Sequence, residues 1–333
     1  MIPIIPSTTW TAGAEPAAGM DFQDYKSFWN DKASTPTGAM VAVDGSHDER
    51  TLRLTGAFSA AQARAALDFA PADRVFELGC GVGRIGRELA GEVAHWHGLD
   101  IAENMLEVAR GRLAGIGDCA FSPLRRSRLD ALDDASMDKG YCVAVFIHMD
   151  KEDFVLYLRD VARVLRPGGL FYFDHWNLAH PVGWRRFSLE VDQAARLPPG
   201  QRKDVARNQF CVPQEVEAYV RGAGLEVLAV VTDTPWVQVV ARKPDGDAAA
   251  SAREAERLRE AAPRISYGAQ WTAYFDAIVA DEARAQPPHS LLALLAREPA
   301  DDPVALMFRA WIHGAWRSRP DWGPVPAGLE PAA

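Results

Sequence analysis

The run Glu77-Leu78-Gly79-Cys80-Gly81-Val82-Gly83 places three glycines and a carboxylate within seven residues. Apolar sequence precedes it and helical periodicity follows. Glycines at such a junction let the backbone turn tightly and approach a ligand, while the N-terminus of the following helix offers unpaired N–H groups. Asp100 closes the next apolar stretch, 17 residues after Gly83, where a carboxylate can accept both hydroxyls of an adenosine ribose. Gly81-Val82-Gly83-Arg84-Ile85-Gly86 also fits the dinucleotide spacing G-x-G-x-x-G, so an NAD(P)-dependent oxidoreductase stands as the alternative. Glu77 argues against it, because a carboxylate there suits an ammonium better than a diphosphate. The chain also lacks an evident second nucleotide-binding half.

These residues need a scaffold of alternating strands and helices. Strands are expected at 74–78, 95–100, 121–129, 142–149 and 170–174, and a last pair at 225–231 and 236–241. Between them, helical spacing runs over 84–90 and 103–113. Asp150 can cap a helix that stops at Pro167-Gly168-Gly169, and another starts near Pro213. Upstream, Ser59 and Gln62 read as a capping box opening a helix closed by Pro71. The last two strands are too closely connected to be anything but an antiparallel hairpin. The expected class is α/β: a doubly wound, seven-stranded, mostly parallel sheet with an antiparallel last strand. An α-helical C-terminal appendage is expected after it.

With these elements in place, residues from about 70 to 244 resemble the S-adenosylmethionine-dependent methyltransferases with a Rossmann-like fold. The segment from Arg74 to Gly83 is similar to their first motif, and that from Gly98 to Met105 to their second-strand motif. Asp130-Ala131 resembles the adenine-contacting pair after the third strand, Phe146-Ile147-His148-Met149 the end of the fourth, and Leu165 to Leu170 the lead into the fifth. The resemblance implies that Gly79, Cys80, Gly81 and Gly83 line the methionine portion of S-adenosyl-L-methionine, with Glu77 near its amino group. It further implies Asp100 on the ribose, Ile101 and Met105 beside the adenine, Asp130 at the adenine amino group, and Ala131 and Phe146 nearby. The product would be S-adenosyl-L-homocysteine. The third strand departs from the family pattern, since Arg125, Arg126 and Arg128 interrupt it, so Asp133 or Asp134 could stand in for Asp130. Three regions follow: 1–56 as tail and cofactor-covering segment, 57–244 as the methyltransferase domain, and 245–333 as the appendage.

Ligands of such sheets lie beyond the carboxyl ends of the strands. The candidate bases there are His148, ending the fourth strand, and His175, opening an insertion over about 175–212. A base is needed only if the acceptor must lose a proton, as a hydroxyl must. Trp176, Asn177, Trp184 and Arg185 are candidate acceptor contacts, the indoles for a ring and the guanidinium for an anionic group. A small-molecule or glycan acceptor is expected, with oxygen favoured over nitrogen. A cofactor-binding protein without transfer activity, regulatory or scaffolding, is the reading from another class. Phe22, Tyr25, Phe28 and Trp29 share a helical face, expected to cover the cofactor.

The 333 residues carry a formal charge of −9, which disfavours a nucleic-acid-binding face. Cys80, Cys119, Cys142 and Cys211 show neither CxxC spacing nor a His neighbourhood, so no metal site and no disulfide framework are expected. No apolar run is long enough to span a membrane and no basic region precedes the first apolar residues, so a cytoplasmic protein is the expectation. Trp271, Trp311, Trp316 and Trp322 must be buried on the main domain or on a second copy in a homodimer. Replacing Asp100 by Ala is expected to weaken the cofactor without disturbing the ligand-free fold.

Overall fold

The computed structural model describes residues 22–125, 127–198 and 207–329. The first part of the expected tail and part of the insertion lie outside them. The sheet consists of β1 (Arg74–Leu78), β2 (His95–Asp100), β3 (Cys119–Pro123), β4 (Met137–Cys142), β5 (Leu165–Asn177), β6 (Phe210–Cys211), β7 (Glu226–Val231) and β8 (Trp236–Arg242). Their order is β3-β2-β1-β4-β5-β8-β7, with the two-residue β6 paired to the end of β5. Pairing is parallel except that β8 runs antiparallel to both β5 and β7. The doubly wound expectation holds, with eight strands instead of seven.

Both faces are covered, which is why the strands read as apolar runs without strict alternation. On one face lie α3 (Glu49–Leu67), α5 (Glu103–Arg112) and α9 (Ala248–Ile265), packed on Val75, Trp96, Tyr172 and Val240. On the other lie α6 (Lys151–Val164) and α8 (Pro213–Gly222), packed on Phe76, Phe171 and Phe173. The remaining helices are α1 (Phe22–Lys32), α2 (Pro36–Asp44), α4 (Gly86–Leu89), α7 (Pro181–Ala195), α10 (Gly268–Ala283), α11 (His289–Leu295) and α12 (Pro303–Arg317).

Three boundaries differ from the sequence expectation. The helix assigned to start at Ser59 starts at Glu49, capped by Asp48, whose side chain accepts from the Thr51 N–H. Ser59 is mid-helix and buried, its hydroxyl accepting from Arg84. The boundary at 56/57 therefore falls inside a continuous helix. The strand expected over 142–149 occupies 137–142 instead. Asp138 and Lys139 hide its pattern, although the Asp138 carboxylate takes the Arg74 N–H and Lys139 pairs with Asp73 at 2.7 Å. Beyond Cys142 the chain leaves the sheet: Ala144 adopts φ +60 and residues 146–148 form one 3₁₀ turn.

The C-terminal helices bury their aromatic surface on this same chain. Trp271, Trp311 and Trp316 are core residues, in one cluster with Trp176 and Trp236. Residue 245 opens no separate layer either, since Leu258, Ala261 and Ile265 of α9 pack into the sheet's own core. The α12 helix reaches the turn after α2, where the Trp311 indole N–H donates to the Asp44 carbonyl at 3.1 Å. Gly45 in that turn has φ +76, and a Cβ there would lie 2.7 Å from the indole nitrogen. Gly45→Ala should therefore destabilise the protein by about 1–3 kcal/mol through backbone strain and the clash together. Urea unfolding of the two proteins measures it.

Candidate active site

The glycine loop is pinned to β2 from below. The N–H groups of Gly79 and Cys80 both donate to the Leu99 carbonyl, at 2.7 and 3.0 Å. Gly79 and Gly81 have φ of +71 and +51, and side chains there would strike Val145 and Val43 at 2.4 and 2.8 Å. Only glycine satisfies both the dihedral and the close approach. Asp100 completes the loop: Oδ2 accepts the Gly81 N–H at 2.7 Å and Oδ1 the Ala102 N–H at 2.8 Å. Burial pushes this carboxyl up to about 6, against the pull of those N–H groups.

Above the loop lies a half-open recess with about 980 Å³ of atom-free space. Its floor is Glu77, Gly79, Cys80 and Gly81; Asp100, Ile101, Met105, Leu124, Ser127 and Tyr157 form one end. Tyr25 and Trp29 from α1, Ala42 and Val43 from α2, and Val143 to Val145 with His148 and Met149 also line it, as do Arg84, Ile85 and Asp153. Glu77 is buried, its carboxylate accepting the Tyr141 hydroxyl at 2.8 Å, which in turn accepts the Trp96 N–H. Burial pushes Glu77 up to about 8, with Tyr141 and Arg84 pulling the other way and Asp100 adding to the rise. The His148 ring packs on Trp29, centroids 5.2 Å apart. Tyr25 is pushed up to about 12 by burial and by Asp150 and Asp153.

Of the residues assigned to the cofactor from sequence, Glu77, Gly79, Cys80, Gly81, Asp100, Ile101 and Met105 line this recess. Gly83, Asp130, Ala131 and Phe146 do not. Gly83 faces Leu113. Phe146 is buried among Phe154, Phe171 and Phe173. Asp130 is half exposed beside Arg128, because β3 ends at Pro123 and brings Leu124 and Ser127 to the recess instead.

The acceptor assignments need larger corrections. His175 is 1% exposed and lies outside the recess, its ring stacked on Phe154 and its Nε2 3.7 Å from the Cys211 sulfur. Burial lowers it to about 4. Trp176 stacks in the core on Trp236, 4.5 Å between centroids, and Asn177 donates to the Thr232 and Thr234 carbonyls. Trp184 is exposed on α7, and Arg185 is paired with Asp276 of α10. Within the insertion, α7 docks onto α10 of the C-terminal helices, while the Gln209 N–H donates to the Ile147 carbonyl at 2.7 Å. Sequence reading missed Arg84, Ser127, Asp153 and Tyr157. Asp153 and Tyr157 are one helical turn apart on α6, a spacing that could have pointed to a shared face.

Residues 75–169 match the methyltransferase domain family. The chain is 29% identical over 167 residues to a ubiquinone biosynthesis O-methyltransferase of Hahella chejuensis, covering 49% of this chain and 66% of that protein. It is 27% identical over 180 residues to the Azoarcus sp. protein of the same name, covering 52% and 74%. The magnesium protoporphyrin IX methyltransferase of Synechocystis PCC 6803, solved with bound S-adenosylhomocysteine, shares the fold at 17% identity. Its TM-score is 0.50, over 67% of this chain and all of that one. Residues 75–169 thus form a methyltransferase domain, in a chain with the fold of the class I, S-adenosylmethionine-dependent enzymes.

The methyltransferase's own residues fit that cofactor: a glycine cradle that any Cβ would fill, a buried carboxylate in its floor, and Asp100 at the end of β2. Among the described residues no group of His, Cys, Asp or Glu could hold a metal, and no helix is long and apolar enough to cross a membrane.

Two outcomes follow. Asp100→Ala leaves two buried N–H groups without their acceptor, so it should lower ligand-free stability by about 1–3 kcal/mol as well as weaken S-adenosylhomocysteine about tenfold. The stability loss departs from the expectation from sequence while the affinity loss agrees with it, and urea titration with calorimetry checks both. Glu77 ordinarily ionises near 4.5, whereas in the fold it holds its proton to about 8. Its contribution to ligand-free stability is thus full below pH 4.5 and lost as pH rises towards 8. Glu77→Gln should flatten that decline in melting temperature.

Proposed function

We propose that this methyltransferase methylates an oxygen of a small-molecule acceptor, and that His148 removes the hydroxyl proton. The observation that carries the reading is His148 itself. Among the described residues it is the only imidazole lining the recess, and Trp29 packs against it. Bound at the loop, S-adenosylmethionine supplies a methyl group on a sulfonium, open to in-line displacement by a nucleophile.

The chain's part is placement and proton removal. Glu77 would take the amino group and Asp100 the ribose, with Ile101, Met105 and Leu124 packing on the adenine. Tyr25, Trp29 and Met149, which line the recess, would hold an acceptor in a fixed orientation to the methyl group, a large source of rate. His148 accepts the proton as the oxygen–carbon bond forms. The O-methyltransferase names of the two relatives support oxygen as the acceptor atom. Asp150 and Asp153 beside Tyr25 favour a second reading, a cationic amine acceptor, which would need no base once neutral.

A panel of hydroxylated and amino small molecules with labelled S-adenosylmethionine tests the assignment. His148→Gln should lower turnover about 10²–10⁴-fold with S-adenosylhomocysteine affinity kept, and His175→Gln should leave turnover of the folded protein near wild type. Full turnover in His148→Gln would move the assignment to the amine.

A further inference from the structure

One polar chain runs from the C-terminal helices to the wall of the recess. Tyr267, at the start of α10, is buried against Trp236 and Trp271, with ring centroids 5.3 and 4.7 Å away. Its hydroxyl donates to Asp174 Oδ2 at 2.8 Å. Asp174 Oδ1 accepts the Ala144 N–H at 2.7 Å. Ala144 lines the recess in the left-handed region, φ +60, which alanine rarely adopts. Val145 follows it, packed so closely on Gly79 that a Cβ there would lie 2.4 Å from a valine methyl. The position of the Ala144 turn therefore sets the position of the wall that faces the glycine cradle.

We propose that Tyr267 is a positioning residue of the methyl-transfer site, holding the strained turn at Ala144 through Asp174. The proposal rests on the cofactor reading of the recess. Packing alone does not account for the arrangement, because a phenylalanine at 267 would fill the same space among the indoles. Nor does packing call for a fully buried carboxylate on β5, whose desolvation is costly unless its oxygens are matched. Here both are matched, one by the wall and one by the C-terminal helices. The C-terminal region thereby contributes to the site without lining it.

The test uses the full chain, with S-adenosylhomocysteine binding read by calorimetry at 25 °C and melting temperature read in parallel. Tyr267→Phe should weaken binding about five- to tenfold, the scale of one ordinary hydrogen bond, because the lost tie reaches the ligand only through the turn it holds. Adding Ala144→Gly should restore most of that loss, because glycine holds a positive φ without the tie. A merely structural role predicts a lower melting temperature and no such rescue. Wild-type affinity in Tyr267→Phe, or no recovery in the double variant, overturns the proposal.

If Tyr267→Phe does not fold, Asp174→Asn and Asp174→Ala carry the comparison. Asparagine keeps an oxygen for the Ala144 N–H and should bind several-fold more tightly than alanine; equal affinities overturn the proposal. If the wild-type protein itself does not bind S-adenosylhomocysteine, the cofactor reading fails first and this inference with it.

Discussion

Arg84 sits where the glycine loop turns into α4, 5% exposed, and the groups gathered around it come from four elements of the fold. Its guanidinium donates to the Thr55 carbonyl at 3.2 Å and to Ser59 Oγ at 2.9 Å, both on α3. Asp44, at the end of α2, lies 3.7 Å away. Glu77 and Asp174 feel its charge from β1 and β5. A charge buried this deeply is tolerated only where its donors are used and its field is balanced. Loop, covering helix and sheet cannot shift independently without leaving a charge uncompensated, a disruption of about 3–5 kcal/mol where one partner of a buried pair is lost. The geometry of the recess follows from that constraint.

The same constraint explains why the C-terminal helices behave as part of the catalytic body. Asp44 accepts the Thr55 hydroxyl and the Ser46 N–H through its carboxylate, and Trp311 of α12 through its carbonyl. Val43, one residue earlier, touches the glycine loop. A displacement of α12 would thus reach the loop through a single turn. On the opposite side, Gln238 of β8 and Gln62 of α3 both donate to the Ile265 carbonyl at the end of α9. The helices after residue 245 pack on the sheet and on α3 as further cover for the same core. They do not mark an independent unit.

What sequence revealed, and what it concealed, divides along physical lines. The glycine loop, Glu77 and Asp100 were legible because backbone conformation and residue type determine each other there. The acceptor side was not. His175 closes a strand and precedes an insertion, both features of a site residue, but strand periodicity puts it on the face of Phe171 and Phe173. Asp174 takes the other face, towards Tyr267. Sequence order cannot tell those two faces apart when both are buried. Strand alternation misled again at 142–149, where Phe146 and Ile147 are buried in a turn. Beyond β3, whose early close leaves Asp130 outside, Leu124 and Ser127 line the recess instead. The arginines that interrupt the family pattern hinted at this without indicating its direction.

The charges in the recess also separate the two cofactors that the glycine spacing left open. Glu77 and Asp100 are both buried, both pushed upward by burial, and Asp100 raises Glu77 further. A ligand that brings a diphosphate to this loop would add negative charge beside two carboxylates that already disfavour each other. A ligand with an ammonium over Glu77 does the reverse: it relieves the repulsion, lets Glu77 release its proton, and converts a desolvated acid into a matched ion pair. The Tyr141 hydroxyl and the Trp96 indole behind it hold the carboxylate in place for that exchange. On the proposed placement of the amino group over Glu77, the floor of the recess would favour a cationic amino-acid moiety over a dinucleotide before any contact to adenine or ribose distinguishes the two.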